Sequence, residues 1–299
     1  MNLLITGAWN GAKEHISEIE ALGHSVVFMQ QEAEALPCDP MWVEGVIGNG
    51  LFLSHEIEQF ENLRYIQLTS AGYDRVPMDY VRKNGIEIHN ARGVYSIPMA
   101  EFALCGVMSL LGRMLAFAKS AAAHRWEKQR GVRELFGKTV AIVGCGNVGT
   151  ECAKRFSAMG CRVLGVDLYP REDACYESIL PLEQLYEALK EADAVVLTLP
   201  YTGETHHLMD AEALLQMKQG AILVNIARGG VVDTKALITA LTDGRLGGAV
   251  LDVFEEEPLS EDSPLWELEN VIVTPHNSFV GDGNAERLLR VILKNLSER

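Results

Sequence analysis

The chain has 299 residues and a mass of 32.9 kDa, enough for one large domain or two ordinary ones. Hydrophobic residues make up 48% and charged residues 22%, the balance of a globular protein with an ample core. A formal net charge of −15 would be repelled by a nucleic-acid backbone or an anionic membrane, so neither is expected as a partner, and an anionic substrate must be held by a local positive site.

The opening Met1–Trp9 lacks the basic segment and small-residue cleavage site of a secretion signal and reads as a first strand. Leu3–Thr6, Ser25–Met29, Gly45–Ile47, Tyr65–Leu68 and Ile86–His89 read as short buried strands. His15–Leu22, Ser54–Phe60 and Met78–Lys83 supply helical intervals between them. Such alternation predicts a parallel sheet covered by helices on both faces. One long helix is expected from Pro98 to Ala123, since proline is tolerated in a first helical turn. Within it, the apolar run Phe102–Gly112 is shorter than the roughly twenty residues that span a bilayer and reads as a buried helix.

After the basic stretch His124–Arg133, a second series opens with Lys138–Val143. Arg162–Val166, Ala194–Leu199, Ala221–Asn225, Ala249–Val253 and Val271–Thr274 continue it as strands, with helices beginning near Asn147, Leu182, Asp210 and Thr234. The amphipathic segment Asp282–Glu298 is expected to return to the first domain. Six cysteines form no C-x-x-C pair, the pattern of reduced, packed thiols in a cytoplasmic protein. Among them, Cys145 is the one whose alkylation is expected to disturb ligand binding, because it lies in a glycine turn.

That turn is Val143-Gly144-Cys-Gly146-Asn147-Val148-Gly149, after a hydrophobic strand and before a helix, and Leu164-Gly-Val-Asp167 follows as a strand ending in a carboxylate. Gly144 allows the tight turn, Gly146 lets backbone approach a pyrophosphate, and Gly149 lets helix pack on strand. Asp167 stands where a carboxylate accepts hydrogen bonds from the adenosine ribose. The combination points to dinucleotide binding. Three later strand ends carry charged groups: Asn225-Ile226-Ala227-Arg228-Gly-Gly, Asp252-Val-Phe-Glu-Glu-Glu257-Pro, and Thr274-Pro-His276. A histidine near a carboxylate can serve as acid and base, and a guanidinium can hold a carboxylate or polarise a carbonyl; together they can reduce a 2-oxo acid.

Gln67-Leu-Thr-Ser-Ala71-Gly72-Tyr-Asp, Met99-Ala-Glu101-Phe-Ala-Leu, the glycine turn, Leu199-Pro200-Tyr-Thr-Gly-Glu-Thr205 and Met217-Lys-Gln-Gly-Ala join the three strand-end motifs in order. In these the chain resembles the D-isomer-specific 2-hydroxyacid dehydrogenase family over essentially its whole length. The resemblance implies two doubly wound α/β parallel-sheet domains. These would be a flavodoxin-like substrate domain, residues 1–98 with 277–299, and a Rossmann NAD-binding domain, residues 99–276, with a cleft between them that closes on binding. It implies His276 as general acid and base, Glu257 as its partner, and Arg228 on the substrate carboxylate and carbonyl. Ala71 and Gly72 would hold the carboxylate through backbone amides. For NAD it implies Asn147 and Val148 at the pyrophosphate, Asp167 at the ribose and Leu199 and Pro200 on the adenine side. Thr205, Ile226, Ala227, Arg228 and Asp252 would line the nicotinamide half. No metal is implied, and relatives commonly dimerise through the region matching Pro98–Arg133.

Asp167 favours NAD over NADP, with Arg171 close enough in sequence to offset this in part. The chain departs from the family at Asn277-Ser-Phe279 after the histidine, at Tyr201 where leucine is common, and at Pro98-Met99. Asn49–Leu53, Tyr73 and Phe279 are expected to wall an apolar side-chain pocket suited to a small or uncharged substituent. Two other readings share the fold. A non-catalytic NAD-sensing interaction protein would have lost a reacting group or gained tails, whereas Arg228, Glu257 and His276 are all present. An NAD-using hydrolase, resembling adenosylhomocysteine hydrolase, would need a larger nucleoside pocket than the first hundred residues show.

Overall fold

The computed structural model describes residues 1–298 and separates the chain into two compact units. Met1–Tyr95 forms the first with the segment that begins at Gly281, and Ser96–Val280 forms the second.

In the first unit β1 (Asn2–Thr6), β2 (Ser25–Met29), β3 (Gly45–Gly48), β4 (Tyr65–Leu68) and β5 (Glu87–His89) make an all-parallel sheet in the order β2-β1-β3-β4-β5. That is the flavodoxin-like order, and it reverses between β1 and β3. Every residue of β3 and β4 is buried, as expected where helices and loops cover both faces of a parallel sheet. Alternate residues feed two cores: Leu4, Val46 and Ile66 pack with Val81 of α2 (Met78–Lys83), and Leu3, Ile5 and Ile47 with Ile19 of α1 (Ile16–Ala21).

The second unit begins with α3 (Ser96–Leu111) and α4 (Met114–Ala122). Its strands are β6 (Thr139–Val143), β7 (Arg162–Asp167), β8 (Ser178–Pro181), β9 (Ala194–Leu197), β10 (Ala221–Asn225), β11 (Leu246–Leu251) and β12 (Val271–Val273). They pair in parallel as β12-β11-β10-β9-β6-β7-β8, so the order reverses between β6 and β9. Helices α5 (Asn147–Ala158), α6 (Leu185–Glu191), α7 (Ala211–Gln216) and α8 (Thr234–Thr242) connect them. Val140, Ile142, Val196 and Val224 face α3 and α5, while Ala141, Val143, Leu197 and Leu223 face α6, α7 and α8. This is a Rossmann sheet with both faces covered.

Helix α9 (Asn284–Ser297) belongs to the first unit. Leu288, Ile292 and Leu296, spaced four apart on one face, pack against Leu3, Ile5 and Tyr65. Each such burial contributes about 1.5–3 kcal/mol. Arg287 Nε donates to the Val94 carbonyl at 2.7 Å and Asn295 Nδ2 to Gln67 Oε1 at 2.7 Å, fixing the helix along its length.

Three sequence expectations are corrected. Ser54–Phe60 is not an α-helix; two 3-10 turns, Leu51–Leu53 and Ile57–Gln59, occupy the region, because Glu56 takes an extended backbone (φ −63°, ψ 125°) that interrupts the stretch. The expected helix Pro98–Ala123 is two helices bent by 68°, broken at Gly112-Arg113, where Arg113 has φ 56°. The leucine- and alanine-rich pattern runs through that break, so only Gly112 marks it. The second sheet has a further edge strand, β8, whose four residues end in a proline and carry little strand signal. Among the described residues no single helix is long and apolar enough to cross a membrane; α3 is apolar because Ala100, Ala103, Gly106 and Val107 are buried under the sheet.

Candidate functional site

The glycine turn lies where the strand order of the second sheet reverses. Gly144 has φ 98°, and a Cβ there would fall 2.5 Å from the Leu199 nitrogen. At Gly149 a Cβ would fall 2.0 Å from the Gly144 carbonyl oxygen, whereas at Gly146 it would meet nothing within 4 Å. Two of the glycines are therefore demanded by the protein itself, and the third keeps clear a space that the protein does not fill. Gly146 caps α5 without a side-chain hydrogen bond, while α7 and α8 are closed by Asp210 and Asp233. The first-turn N–H groups at Asn147, Val148 and Gly149 are thus free of a side-chain acceptor, which suits a pyrophosphate.

Asp167 ends β7 and is half-buried. Its Oδ2 accepts the Cys145 N–H at 2.6 Å and its Oδ1 the Tyr169 N–H at 3.0 Å. Each oxygen keeps a further lone pair while holding the turn in shape. Arg171 does not stand free beside it: Nη2 donates to the Cys145 carbonyl at 2.5 Å and lies 3.7 Å from Asp173. The Cys145 side chain is buried behind the turn, and burial pushes its thiol up to about 11. The expected alkylation liability is therefore corrected, because a buried neutral thiol is a poor nucleophile.

At the other strand ends the candidate groups sit on loops that hold one another. His276 follows β12 with φ 51° and donates its backbone N–H to the Asp252 carbonyl at 2.8 Å. Its Nδ1 lies 2.9 Å from Glu257 Oε2, and Glu257 Oε1 accepts the Phe254 N–H at 3.0 Å. With both carboxylate oxygens engaged, Glu257 orients the ring through Nδ1 and leaves Nε2 outside that bond. His276 and Glu257 are both partly exposed, at 41% and 38% of their side chains.

Asp252 is fully buried. Its Oδ1 accepts from Thr274 Oγ1 at 2.6 Å and the Asn277 N–H at 2.8 Å, and its Oδ2 from the Ser278 N–H at 2.9 Å. The carboxylate thus ties down the segment on both sides of His276, a task its sequence position does not reveal. Arg228 sits just past β10 and is exposed; its Nη1 donates to the Ala227 carbonyl at 2.8 Å, and its other donors meet no acceptor among the described residues. Buried Asn225 shapes this turn by donating to the Arg228 carbonyl at 3.1 Å and accepting the Ala227 N–H at 3.1 Å. Sequence reading leaves Asn225 without a role; its signal is a polar residue at the end of an otherwise apolar strand.

Ile226 and Ala227 of the same turn are buried, as is Leu199 after β9, while Pro200 is exposed. Thr205 is buried and accepts the Thr202 N–H at 2.8 Å while donating to the Pro200 carbonyl at 2.9 Å, which folds Pro200–Thr205 into a compact loop. In the first unit, Ala71 and Gly72 follow β4 at the edge of its carboxyl ends. Asn90 Nδ2 donates to the Ala71 carbonyl at 2.6 Å and Ser70 Oγ to the Gly72 carbonyl at 3.1 Å. The Ala71 and Gly72 N–H groups have no protein acceptor among the described residues.

A glycine turn open to a dinucleotide and an oriented imidazole at a later strand end of one Rossmann sheet define the class: a nicotinamide-dependent dehydrogenase. Residues 104–278 match the family model described as D-isomer specific 2-hydroxyacid dehydrogenase, NAD binding domain. An (S)-sulfolactate dehydrogenase of Chromohalobacter salexigens is 36% identical over 80% of this chain and 78% of its own length. A glyoxylate reductase of Korarchaeum cryptofilum is 37% identical over 81% and 75%. The crystal structure of a D-isomer specific 2-hydroxyacid dehydrogenase family protein from Aeromonas salmonicida superposes with a TM-score of 0.86 at 30% identity, covering 100% of this chain and 96% of that one. The chain belongs to the D-isomer-specific 2-hydroxyacid dehydrogenase family and is an NAD(P)-dependent oxidoreductase. Its relatives are named dehydrogenases and reductases, which leaves the non-catalytic reading without support.

Proposed function

We propose that the chain reduces a small 2-oxo acid to the D-2-hydroxy acid, with NADH preferred over NADPH. The observation that carries this reading is the His276 Nδ1 to Glu257 Oε2 bond of 2.9 Å, which fixes a proton-bearing ring at a strand end of the dinucleotide-binding sheet. NADH supplies the hydride when bound. Asn147 and Val148 face its pyrophosphate, and Asp167 its ribose. Arg228 holds the substrate carboxylate and stabilises charge developing on the carbonyl oxygen as a preorganised positive group. His276 delivers a proton from Nε2 to that oxygen, while Glu257 stabilises the imidazolium beforehand. In the reverse direction neutral His276 accepts the proton. Residues 1–98 with 277–299 serve as the substrate domain, where Ala71 and Gly72 hold the carboxylate through their N–H groups, and residues 99–276 serve as the NAD-binding domain.

The NADH preference is supported by Arg171, whose guanidinium is spent on the Cys145 carbonyl and Asp173 instead of a 2′-phosphate. A homodimer through the Pro98–Arg133 region is supported by the exposure there of Met114, Phe117 and Trp126, the last at 99%. Reduced cysteines support a cytoplasmic setting, and the −15 charge disfavours nucleic-acid and anionic-membrane partners.

An NADH-oxidation screen over glyoxylate, hydroxypyruvate, pyruvate and branched 2-oxo acids, with a sulfonate-bearing 2-oxo acid as the charged comparison, tests the proposal. Turnover of a small 2-oxo acid with an uncharged substituent is expected, with a D product wherever the product is chiral, glyoxylate giving achiral glycolate. An L product, or turnover confined to the sulfonate, would overturn it.

A further inference from the structure

The second unit contains another histidine–carboxylate pair, outside the groups assigned above. His207 Nε2 lies 2.7 Å from Glu255 Oε1, and Glu255 Oε2 accepts the Thr234 N–H at 3.0 Å. His207 has φ 50°, and its N–H donates to the Gly230 carbonyl at 2.8 Å. The His206 ring stacks on that of His207 with centroids 3.9 Å apart, and His206 Nδ1 lies 3.1 Å from the Tyr201 hydroxyl. Tyr201, one of the departures from the family pattern, passes over Gly230, where a Cβ would fall 2.7 Å from its ring.

The placement of this array is what gives it meaning. Tyr201, His206 and His207 lie on the loop after β9 that carries Thr205. Gly230 lies two residues beyond Arg228, Thr234 opens α8, and Glu255 precedes Glu257 by two residues on the turn after β11. One array therefore fastens together three loops, each of which bears a group assigned to the reaction or its cofactor. The pair itself is about one-third exposed at both partners, and exposed ion pairs add little to global stability. A left-handed backbone at a non-glycine residue nevertheless persists only where its surroundings hold it. A bond that stabilises the fold weakly but keeps a loop in an uncommon conformation has its effect on geometry.

We propose that His207 and Glu255, steadied by Tyr201 and His206, are positioning residues for hydride transfer: they hold the Pro200–His207 loop and the Glu257 turn in register. The proposal rests on the assignment of His276 and Glu257 to the reaction. If the Glu255 bond is lost, the Glu257 turn gains freedom and the His276 ring loses its fixed direction. Misplacement of about 1 Å is enough to slow a reaction strongly even when binding survives.

The test uses the full-length protein and four variants, His207→Ala, His207→Gln, Glu255→Ala and the double H207A/E255A, with NADH and the best substrate from the screen. kcat in H207A and E255A is expected to fall about 10-fold, with the NADH dissociation constant, followed by fluorescence, within about twofold of the original. H207Q keeps a donor for Glu255 and is expected to recover most of the rate. The double variant is expected to be no slower than E255A alone, since both changes remove the His207–Glu255 bond. A kcat within about twofold of the original in E255A and H207A, or losses that multiply in the double variant, would overturn the proposal. Should H207A not fold, the comparison of E255A with H207Q decides on the same criterion. Full turnover in His276→Ala would instead strike the assignment of the base, leaving the two failures distinguishable.

Discussion

Gly229 packs so closely on Phe254 that a Cβ at Gly229 would lie 1.8 Å from the Phe254 carbonyl carbon. The turn bearing Arg228 and the turn bearing Glu257 are therefore in backbone contact, and the space between them admits no side chain. Gly229→Ala must push the two turns apart. Overpacking of this kind costs about 1–3 kcal/mol, and the displaced groups are those assigned to substrate and proton transfer. A lowered melting temperature together with a fall in kcat/KM is expected; a variant with unchanged values of both would show that the turns move independently.

Two glycines of the dinucleotide turn should behave oppositely. Gly149→Ala brings a Cβ to 2.0 Å from the Gly144 carbonyl oxygen, so the helix must shift from the strand and the protein should lose stability. Gly146→Ala meets nothing within 4 Å and should leave the melting temperature unchanged while weakening NADH binding about 10-fold or more, because its methyl enters the space proposed for the pyrophosphate. Calorimetry and fluorescence titration on both variants check this. Equal NADH affinity in G146A and the original chain would place the pyrophosphate elsewhere.

Removal of the imidazole should be the most damaging single change to turnover. His276→Ala is expected to lower 2-oxo acid reduction about 10²–10⁴-fold, the usual contribution of a general acid or base. Glu257→Gln should cost less, since an amide still accepts the Phe254 N–H but no longer stabilises the imidazolium. Single-turnover kinetics with saturating NADH separate this chemical loss from any change in binding. A normal rate in H276A would remove the residue from the mechanism.

Cysteine modification should follow burial and ionisation. Burial raises the thiols of Cys145 to about 11 and of Cys152 to about 12, so both are neutral near pH 7, and only the thiolate attacks an alkylating reagent. Cys105 is exposed. Mass spectrometry after brief iodoacetamide treatment of the folded protein at neutral pH should find label at Cys105 and none at Cys145 or Cys152. Raising the pH toward 9 should leave Cys145 and Cys152 unlabelled, because burial keeps their thiols protonated there. Early label at Cys145 with loss of NADH binding would show that the turn opens readily.

The division between what was legible in the chain and what was not follows the range of the interactions involved. Strands such as Val140–Val143 and Ala221–Asn225 are local apolar runs that announce themselves, and the glycine turn is legible because its spacing answers a local steric demand. The order Arg228, Glu257, His276 at successive strand ends is equally a property of the linear sequence. Tertiary structure decided the rest. The break at Gly112-Arg113 and the edge strand Ser178–Pro181 depend on neighbours far along the chain, as do the three donors that surround Asp252. Nothing local tells that Glu255 reaches His207, 48 residues earlier, or that Cys145 turns inward while its own N–H is held by Asp167. Periodicity and spacing encode which residues are buried and where the chain turns, whereas the partner of a polar group is settled only when the folded sheet brings separate loops to one end.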